Sequence, residues 1–183
     1  MEPFYPTLVG ASWTSLPRRV QELHATHASA RGTFRVRRGQ GFLARLIAFF
    51  AGMPDAGERV PVELAVVRAE GCERWQRSFG GRPLLTVQWP SEGLLVEALG
   101  LVLCLFRLRV VEGALVFDQV RARVGGRRFS LPLPRMLSPR IEGRAHEENG
   151  RVQVFVSIGA PIAGFLVSYE GPVDLGVDDR EHR

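Results

Sequence analysis

Lysine is absent from this sequence, and all 24 of its basic residues are arginine. With 19 acidic residues the net charge is +5. Arginine forks suit phosphate recognition, but codon use in a GC-rich genome also produces arginine in place of lysine, and we favour that explanation. The arginines are spread along the chain rather than gathered in one basic run, and no nucleic-acid-binding motif is present. We therefore expect no nucleic-acid partner.

Cysteine is scarce as well. Cys72 and Cys104 stand alone, without CxxC spacing or a neighbouring histidine. Isolated cysteines in strand-like segments predict reduced, partly buried thiols. No apolar run approaches the ~20 residues that span a bilayer, and the start of the chain lacks the basic-then-apolar layout of a signal peptide. We expect a cytoplasmic protein with no transmembrane segment.

The motifs of familiar enzyme active sites are missing. There is no GxSxG, HExxH, P-loop or Cys/His nucleophile pattern, and no strand–GxGxxG–helix unit for a dinucleotide. Of the four histidines, His182 is in the charged tail and His146 adjoins two glutamates beside a turn. We predict no catalytic residue, no metal and no cofactor, and we favour a protein that is not an enzyme.

The composition is that of a folded globular chain. The 183 residues are 45% hydrophobic and 23% charged, which allows a sizeable core without a metal or disulfide staple. No linker marks a second domain. We expect a single domain over residues 1–183, with its core at about 8–173 and a charged tail over 174–183.

Two short helices are predicted near the front, after an irregular or short-helical entry over residues 1–15. The first has Ser15 as its N-cap, and its apolar stripe comprises Leu16, Val20, Leu23 and the two histidines His24 and His27. The second, Phe42 to Ala51, is apolar nearly all round, with Arg45 as its only charge. We favour a helix plugged into the core or over the end of a sheet. The alternatives are a lid over a cavity or a segment that touches a membrane surface.

From residue 57 onward the hydrophobic period is two, and glycine turns recur at regular spacing. About ten strands follow from this pattern, with hairpin signals at Glu112-Gly113 and Asn149-Gly150. Leu131-Pro132-Leu133-Pro134 is predicted to be an extended crossing, because proline does not suit a central strand. The fold class is mainly β (α+β): a curled antiparallel sheet or barrel, lipocalin-like. A helix-grip fold ranks second, because no long C-terminal helix follows Tyr169.

Several motifs in this order resemble one family. They are Leu16-Pro17…His24, Gly39-x-Gly41, Met53-Pro54, Trp75-x-Arg77-x-Phe79-Gly80-Gly81, Glu97, Leu131-Pro132-x-Pro134 and Gly164-x-x-x-x-Tyr169-x-Gly171. The chain resembles the bacterial "domain of unknown function 4166" family over about residues 8–173. That family has no established activity and occurs alone or fused behind a saccharopine-dehydrogenase-like reductase. The resemblance therefore implies a reductase partner supplied by another chain.

The most informative segment is the strand that ends in Gly80-Gly81. Side chains alternate along a strand, so Trp75 and Phe79 facing the core carry Arg77 inward with them. Glu97 alternates with leucines on its own strand and is the expected partner of Arg77. Asp118 is a third candidate. A charge buried alone costs several kcal/mol, so such groups pair or meet a polar ligand group.

Three interpretations of Arg77 and Glu97 remain open. The first is a buried ion pair that fixes strand register. The second is a cavity in which Arg77 binds a carboxylate or phosphate head group and apolar walls surround a few polar anchors. In the third, the strand is exposed on both faces and the two residues are surface charges. The predicted ligand-binding residues are Arg77, Glu97, Trp75, Phe79, Phe106, Phe42, His24 and Tyr169.

Three functions follow. The first is a non-catalytic carrier for a hydrophobic small molecule or fatty-acid-like ligand with an acidic head. The second is an accessory domain that works with an NAD(P)-dependent reductase. The third, which has the least support, is an enzyme on an apolar substrate with Glu97 or His24 as its acid–base group.

Overall fold

The computed structural model describes residues 3–25, 29–69 and 71–176. His27, which was predicted to belong to the apolar stripe of the first helix, and residues 177–183 of the predicted charged tail lie outside the described residues. The helical elements are α1 (Phe4–Val9), a 3₁₀ helix (Gly10–Ser15), α2 (Arg18–Ala25) and α3 (Phe42–Phe50). The strands are β1 (Ser29–Arg38), β2 (Gly57–Ala69), β3 (Cys72–Phe79), β4 (Arg82–Ser91), β5 (Leu94–Leu99), β6 (Val102–Val111), β7 (Ala114–Gly125), β8 (Ser130–Pro132), β9 (Arg140–Glu148), β10 (Arg151–Ala160) and β11 (Gly164–Leu175).

The sheet closes on itself. Its strand order is β6-β5-β4-β3-β2-β1-β11-β10-β9-β7-β8, with β6 also paired to β7. Every pairing is antiparallel, so all strands except the short β8 form a closed barrel. The lipocalin-like barrel prediction is confirmed, and the helix-grip alternative is not what the described chain forms. β8 pairs with the end of β7 and contains Leu131 and Pro132, which were expected to be extended.

Glycine turns make the hairpins possible. At Glu112-Gly113 and Asn149-Gly150 both central residues have positive φ, which is the geometry of the type I′ turns that suit twisted two-residue hairpins. Because neighbouring strands run in opposite directions, the β4–β5, β6–β7 and β9–β10 turns share one end of the barrel. We call it the plug end. The β3–β4, β5–β6 and β10–β11 turns share the opposite end with α3, which we call the α3 end.

The N-terminal helices, over residues 4–25, fill the plug end, and we call them the plug. Tyr5 of α1 is fully buried and its ring lies 6.4 Å from Trp75 and 6.3 Å from Phe117, both on the inner barrel wall. Val20 and Leu23 of α2 join the same core. Three α-helices form instead of two, because the proline-containing start of the chain is helical. The prediction that Ser15 is the N-cap of α2 is wrong. Ser15 is the last residue of the 3₁₀ helix, its hydroxyl donates to the Ser12 carbonyl oxygen, and two residues separate it from α2.

The prediction that residues 42–51 form a core helix or plug is wrong. α3 forms where expected but packs on β11 through Ala44 and Ala48, which are buried. Its phenylalanines point away from the barrel; Phe42 and Phe50 are 82% and 79% exposed. Gly39, just before α3, lets the helix lie close, since a Cβ there would come within 1.9 Å of the Phe165 carbonyl oxygen.

Candidate functional site

Strand β3 presents the expected residues to the barrel interior. Glu73, Trp75 and Phe79 are buried, and the side chain of Arg77 between them is 15% exposed. β3 pairs with β4, and β4 with β5, in a register that brings Thr86 beside Trp75 and Glu97 beside Gln88. The polar side chains of three neighbouring strands therefore meet inside the barrel.

The guanidinium of Arg77 has two hydrogen-bond partners among the described residues. Its Nη1 donates to Thr86 Oγ1 at 2.8 Å, and its Nη2 donates to Glu97 Oε1 at 3.5 Å. The charge also lies 5.1 Å from the ring centre of Trp75, within cation–π range. The expected pair with Glu97 is present, but 3.5 Å is at the long limit of a hydrogen bond. With five N–H donors in a guanidinium, Arg77 keeps capacity for another acceptor.

A cavity of about 140 Å³ adjoins this cluster. Its wall is mainly aliphatic and aromatic, with Arg77, Thr86, Gln88, Glu97 and His24 as the main polar exceptions. The volume is below the roughly 300–1,000 Å³ of typical ligand pockets and close to that of an apolar cavity known to hold one benzene ring, ~150 Å³. The enclosed space therefore suits a compact apolar group and is too small for a whole fatty acid.

Tyr169 of β11 lines the same cavity. Its ring is buried between Phe34 and Phe79, at 6.1 and 5.1 Å. Burial raises the pKa of Tyr169, Arg77 opposes that rise and Glu97 adds to it, so the phenol stays protonated at neutral pH. No described residue hydrogen-bonds its hydroxyl group. Tyr169 lines the cavity, so its hydroxyl group can hydrogen-bond to a polar group that enters there.

His24 lies at the boundary between plug and cavity. Its Nδ1 is 2.9 Å from the Val20 carbonyl oxygen, and its ring is 4.9 Å from Tyr5 and 5.6 Å from Trp75. The pKa of His24 is lowered to about 4, chiefly by burial; the hydrogen bond to Val20 opposes this shift and the nearby charge of Arg77 contributes to it. The ring is neutral at pH 7, so Nδ1 donates to the carbonyl and Nε2 carries a lone pair.

Other polar groups of the interior are engaged within the protein. Tyr5 donates its hydroxyl to Gln88 Oε1 at 2.6 Å, which ties α1 to the barrel wall. Glu73 accepts from Arg68 Nε at 2.8 Å and from Trp75 Nε1 at 3.2 Å. These contacts fix the N-terminal helices and the start of β3. Arg77 and Tyr169 are the cavity-lining groups that keep a hydrogen-bond donor for an incoming acid.

The structure places the predicted site residues together, with one exception. Those that line the cavity are Arg77, Glu97, Trp75, Phe79, Phe106, His24 and Tyr169. Phe42 was expected in the wall, and that expectation is wrong because α3 turns it toward solvent. The expectation that Asp118 is a third charged residue of the interior is wrong too, because Asp118 lies on the outer face of β7 and pairs with Arg109.

Sequence analysis missed Tyr5, Thr86 and Gln88. Thr86 and Gln88 face inward on β4 while the more apolar Leu85, Val87 and Trp89 face outward. Trp89 is nevertheless buried, in a second apolar cluster with residues of β5 and β6. Alternation indicated that β4 has two different faces but not which of them points inward. The charged residues expected inside on the neighbouring strands β3 and β5 were the available indication that polar residues of β4 also face inward.

Strands β7 and β9 share the fewest paired residues of any neighbouring strands in the barrel wall. These strands pair only over Leu115–Asp118 and Glu142–Ala145. Beyond that, the Gln119 side chain bridges them by donating to the Pro139 carbonyl oxygen and accepting from the Ile141 amide, both at 2.7 Å. A groove on the outside shares Phe117 and Ile141 with the cavity, so one layer of side chains separates them.

Residues 16–173 match the model of the family described as Domain of unknown function (DUF4166). The chain belongs to the DUF4166 family. The resemblance inferred from the order of the motifs is thereby confirmed over most of the chain. No curated protein and no solved structure gives a significant match. Because the family description states no activity, the function of this DUF4166 member rests on its cavity, and the reductase partner stays a prediction.

Proposed function

We propose that this protein is a non-catalytic binding module for a small amphipathic acid. The observation that carries the proposal is the pair of polar groups at the cavity: the Arg77 guanidinium, with unused donors, and the Tyr169 hydroxyl, with no described hydrogen-bond partner. Both are hydrogen-bond donors on the wall of one cavity, and we infer that they share one carboxylate; charge-assisted hydrogen bonds are the strong ones. The apolar part of the ligand would contact the aromatic wall.

The cavity volume limits the ligand. A space of about 140 Å³ takes a ring or a short alkyl chain. A longer chain would have to leave through the wall or enlarge the cavity. We therefore narrow the expected fatty-acid-like ligand to aromatic or short-chain carboxylic acids.

Glu97 opposes the binding of a second carboxylate. It already accepts a hydrogen bond from Arg77, and both groups lie on the wall of the cavity. An incoming carboxylate would therefore compete with Glu97 for Arg77 and would meet a like charge in a poorly solvated site.

The test is calorimetric titration of the purified chain with benzoate, hexanoate and palmitate. Arg77→Met should weaken benzoate or hexanoate binding by about 10- to 100-fold, as expected for a lost charged hydrogen bond. Arg74→Met is the matched control, since Arg74 lies on the same strand and points outward. Glu97→Gln should strengthen binding at pH 7.5, because it removes the competing charge.

The competing interpretation, an ion pair that only fixes strand register, gives a different result. In that case Arg77→Met and Glu97→Gln lower the free energy of unfolding but leave any affinity for carboxylates unchanged. That pattern, or no binding of any of the three acids by the folded wild type, overturns the proposal.

A further inference from the structure

The helix α3 has its apolar residues on the outside. It is nine residues long. Its alanines, Ala44 and Ala48, and the partly buried Ile47 pack against the barrel, while its five other large apolar side chains are exposed. A surface helix normally buries its large apolar stripe. The exposed large side chains of α3 are Phe42, Leu43, Leu46, Phe49 and Phe50.

Further apolar residues are exposed at the same end of the barrel. Leu101 in the β5–β6 turn is 69% exposed, and Ile162 and Phe165 around the β10–β11 turn are 42% and 43% exposed. Phe165 lies directly beside the start of α3. The turns at the α3 end thus continue the apolar surface of the helix, and extended apolar patches on soluble proteins mark interaction sites.

Charge distinguishes the two ends. Residues 38–54 include Arg38 and Arg45 and no acidic residue. Asp55, the next acidic residue along the chain, accepts from Arg38 at 2.7 Å and from Arg82 at 3.0 Å, so its charge is compensated. The hairpin turns of the plug end instead carry Glu92, Glu112 and Glu148. Glu92 is paired with Arg121 at 3.1 Å, so Glu112 and Glu148 make the main negative contribution. The barrel therefore has an apolar, basic end and an end whose turns are acidic.

We propose that the α3 end docks on the surface of an anionic lipid bilayer. Phenylalanine and leucine side chains would enter the boundary of headgroups and acyl chains, and Arg45 would face anionic headgroups. Within the described part of the chain, no helix has the length and apolar character needed to cross a bilayer. Nine residues at 1.5 Å each cover less than half of the ~30 Å hydrocarbon core, so α3 would lie in the plane of the interface.

An anionic bilayer suits this surface better than a second copy of the chain does. A pairing of two α3 ends would bring two basic surfaces together, which costs energy, whereas the acidic end of the barrel would be turned away from an anionic membrane. One arginine on the helix gives a weak attraction by itself. The apolar area is what would hold the protein, and the charge would set its orientation.

The experiment is flotation of the full chain with vesicles of phosphatidylcholine alone and of phosphatidylcholine mixed with phosphatidylglycerol. We expect binding to the mixed vesicles, weakened by salt, since exposed charges are screened. The double variant Phe42→Ser/Phe50→Ser should lose binding by at least about tenfold, given the transfer free energy of a phenylalanine side chain. Arg45→Glu should lower binding to the mixed vesicles by about fivefold and leave any binding to phosphatidylcholine unchanged.

The controls separate lipid binding from misfolding and from self-association. Val67→Ser/Leu85→Ser removes exposed apolar residues from the barrel side and should bind like the wild type. Thermal unfolding should give the same midpoint for both double variants. Equal flotation of wild type and Phe42→Ser/Phe50→Ser overturns the proposal. So does a dimer, detected by light scattering without lipid, that the phenylalanine variant abolishes. No ligand is needed, so failure of this test leaves the carboxylate-binding proposal standing.

Discussion

Replacement of His24 by phenylalanine should remove part of the acid sensitivity of this fold. The pKa of His24 is about 4 in the folded protein, chiefly because of burial, against 6.5 for an unperturbed histidine. Between pH 6.5 and about pH 4 the unfolded chain binds a proton on His24 and the folded chain does not. The free energy of unfolding of the wild type therefore falls as the pH falls through this range. At ~1.4 kcal/mol per pKa unit the full loss is about 3 kcal/mol, of which about 2 kcal/mol is lost by pH 5.

The measurement is urea denaturation, followed by far-UV circular dichroism, at several pH values between 7 and 4.5. Phenylalanine keeps an aromatic ring against Tyr5 and Trp75 but has no proton to bind. Carboxyl groups titrate in both proteins, so they cancel in the difference between wild type and variant. That difference should change by about 2 kcal/mol in favour of the variant between pH 7 and pH 5. A difference that stays constant across this range would refute the assignment of His24 as a buried neutral histidine.

Two further predictions concern packing and thiol chemistry. Gly32→Ala should lower the free energy of unfolding by about 3 kcal/mol, as overpacking does, because a Cβ there would lie 2.1 Å from the Pro172 carbonyl oxygen. Gly126→Ala, at an exposed position where the space is open, should cost less than ~0.5 kcal/mol in denaturant titrations. Burial raises the pKa of the Cys104 thiol to about 12, with Glu97 adding to the rise, so Cys104 should resist a disulfide reagent in the native state at pH 8 while half-buried Cys72 reacts. Rapid native reaction of both thiols would contradict the burial of Cys104.

The fold was predictable because its signals are local. Alternating apolar residues and glycine turns such as Glu112-Gly113 define strands and hairpins wherever they occur, and antiparallel neighbours follow from the short connections. The closure between β1 and β11 joins opposite ends of the sequence, and no local pattern specifies it. The split of β7 between β8 and β9 is similarly set by packing.

The site was predictable in part for the same reason. Arg77 could be placed inside because Trp75 and Phe79 flank it at a spacing of two. The position of Phe42 could not be predicted correctly, since the sequence of a helix that is apolar all round does not indicate which side faces the barrel. Composition assigns the larger residues to the core, and α3 reverses that rule. The size of the cavity depends on how the side chains of ten strands and two helices pack together inside the barrel, which no single segment determines.

The pairing of β1 with β11 has a consequence for how the chain folds. Ala30 is paired with Leu175 and Val36 with Tyr169, so the first strand stays without one of its two partners until the last has formed. The N-terminal helices also come early in the chain but dock late, because Tyr5 and Gln88 are 83 positions apart in the sequence. Contacts so distant in sequence slow folding, since loop closure costs entropy before the contacts repay it. Formation of the barrel should therefore be the slow, final step, and the ligand-binding cavity should come into existence only when it is complete.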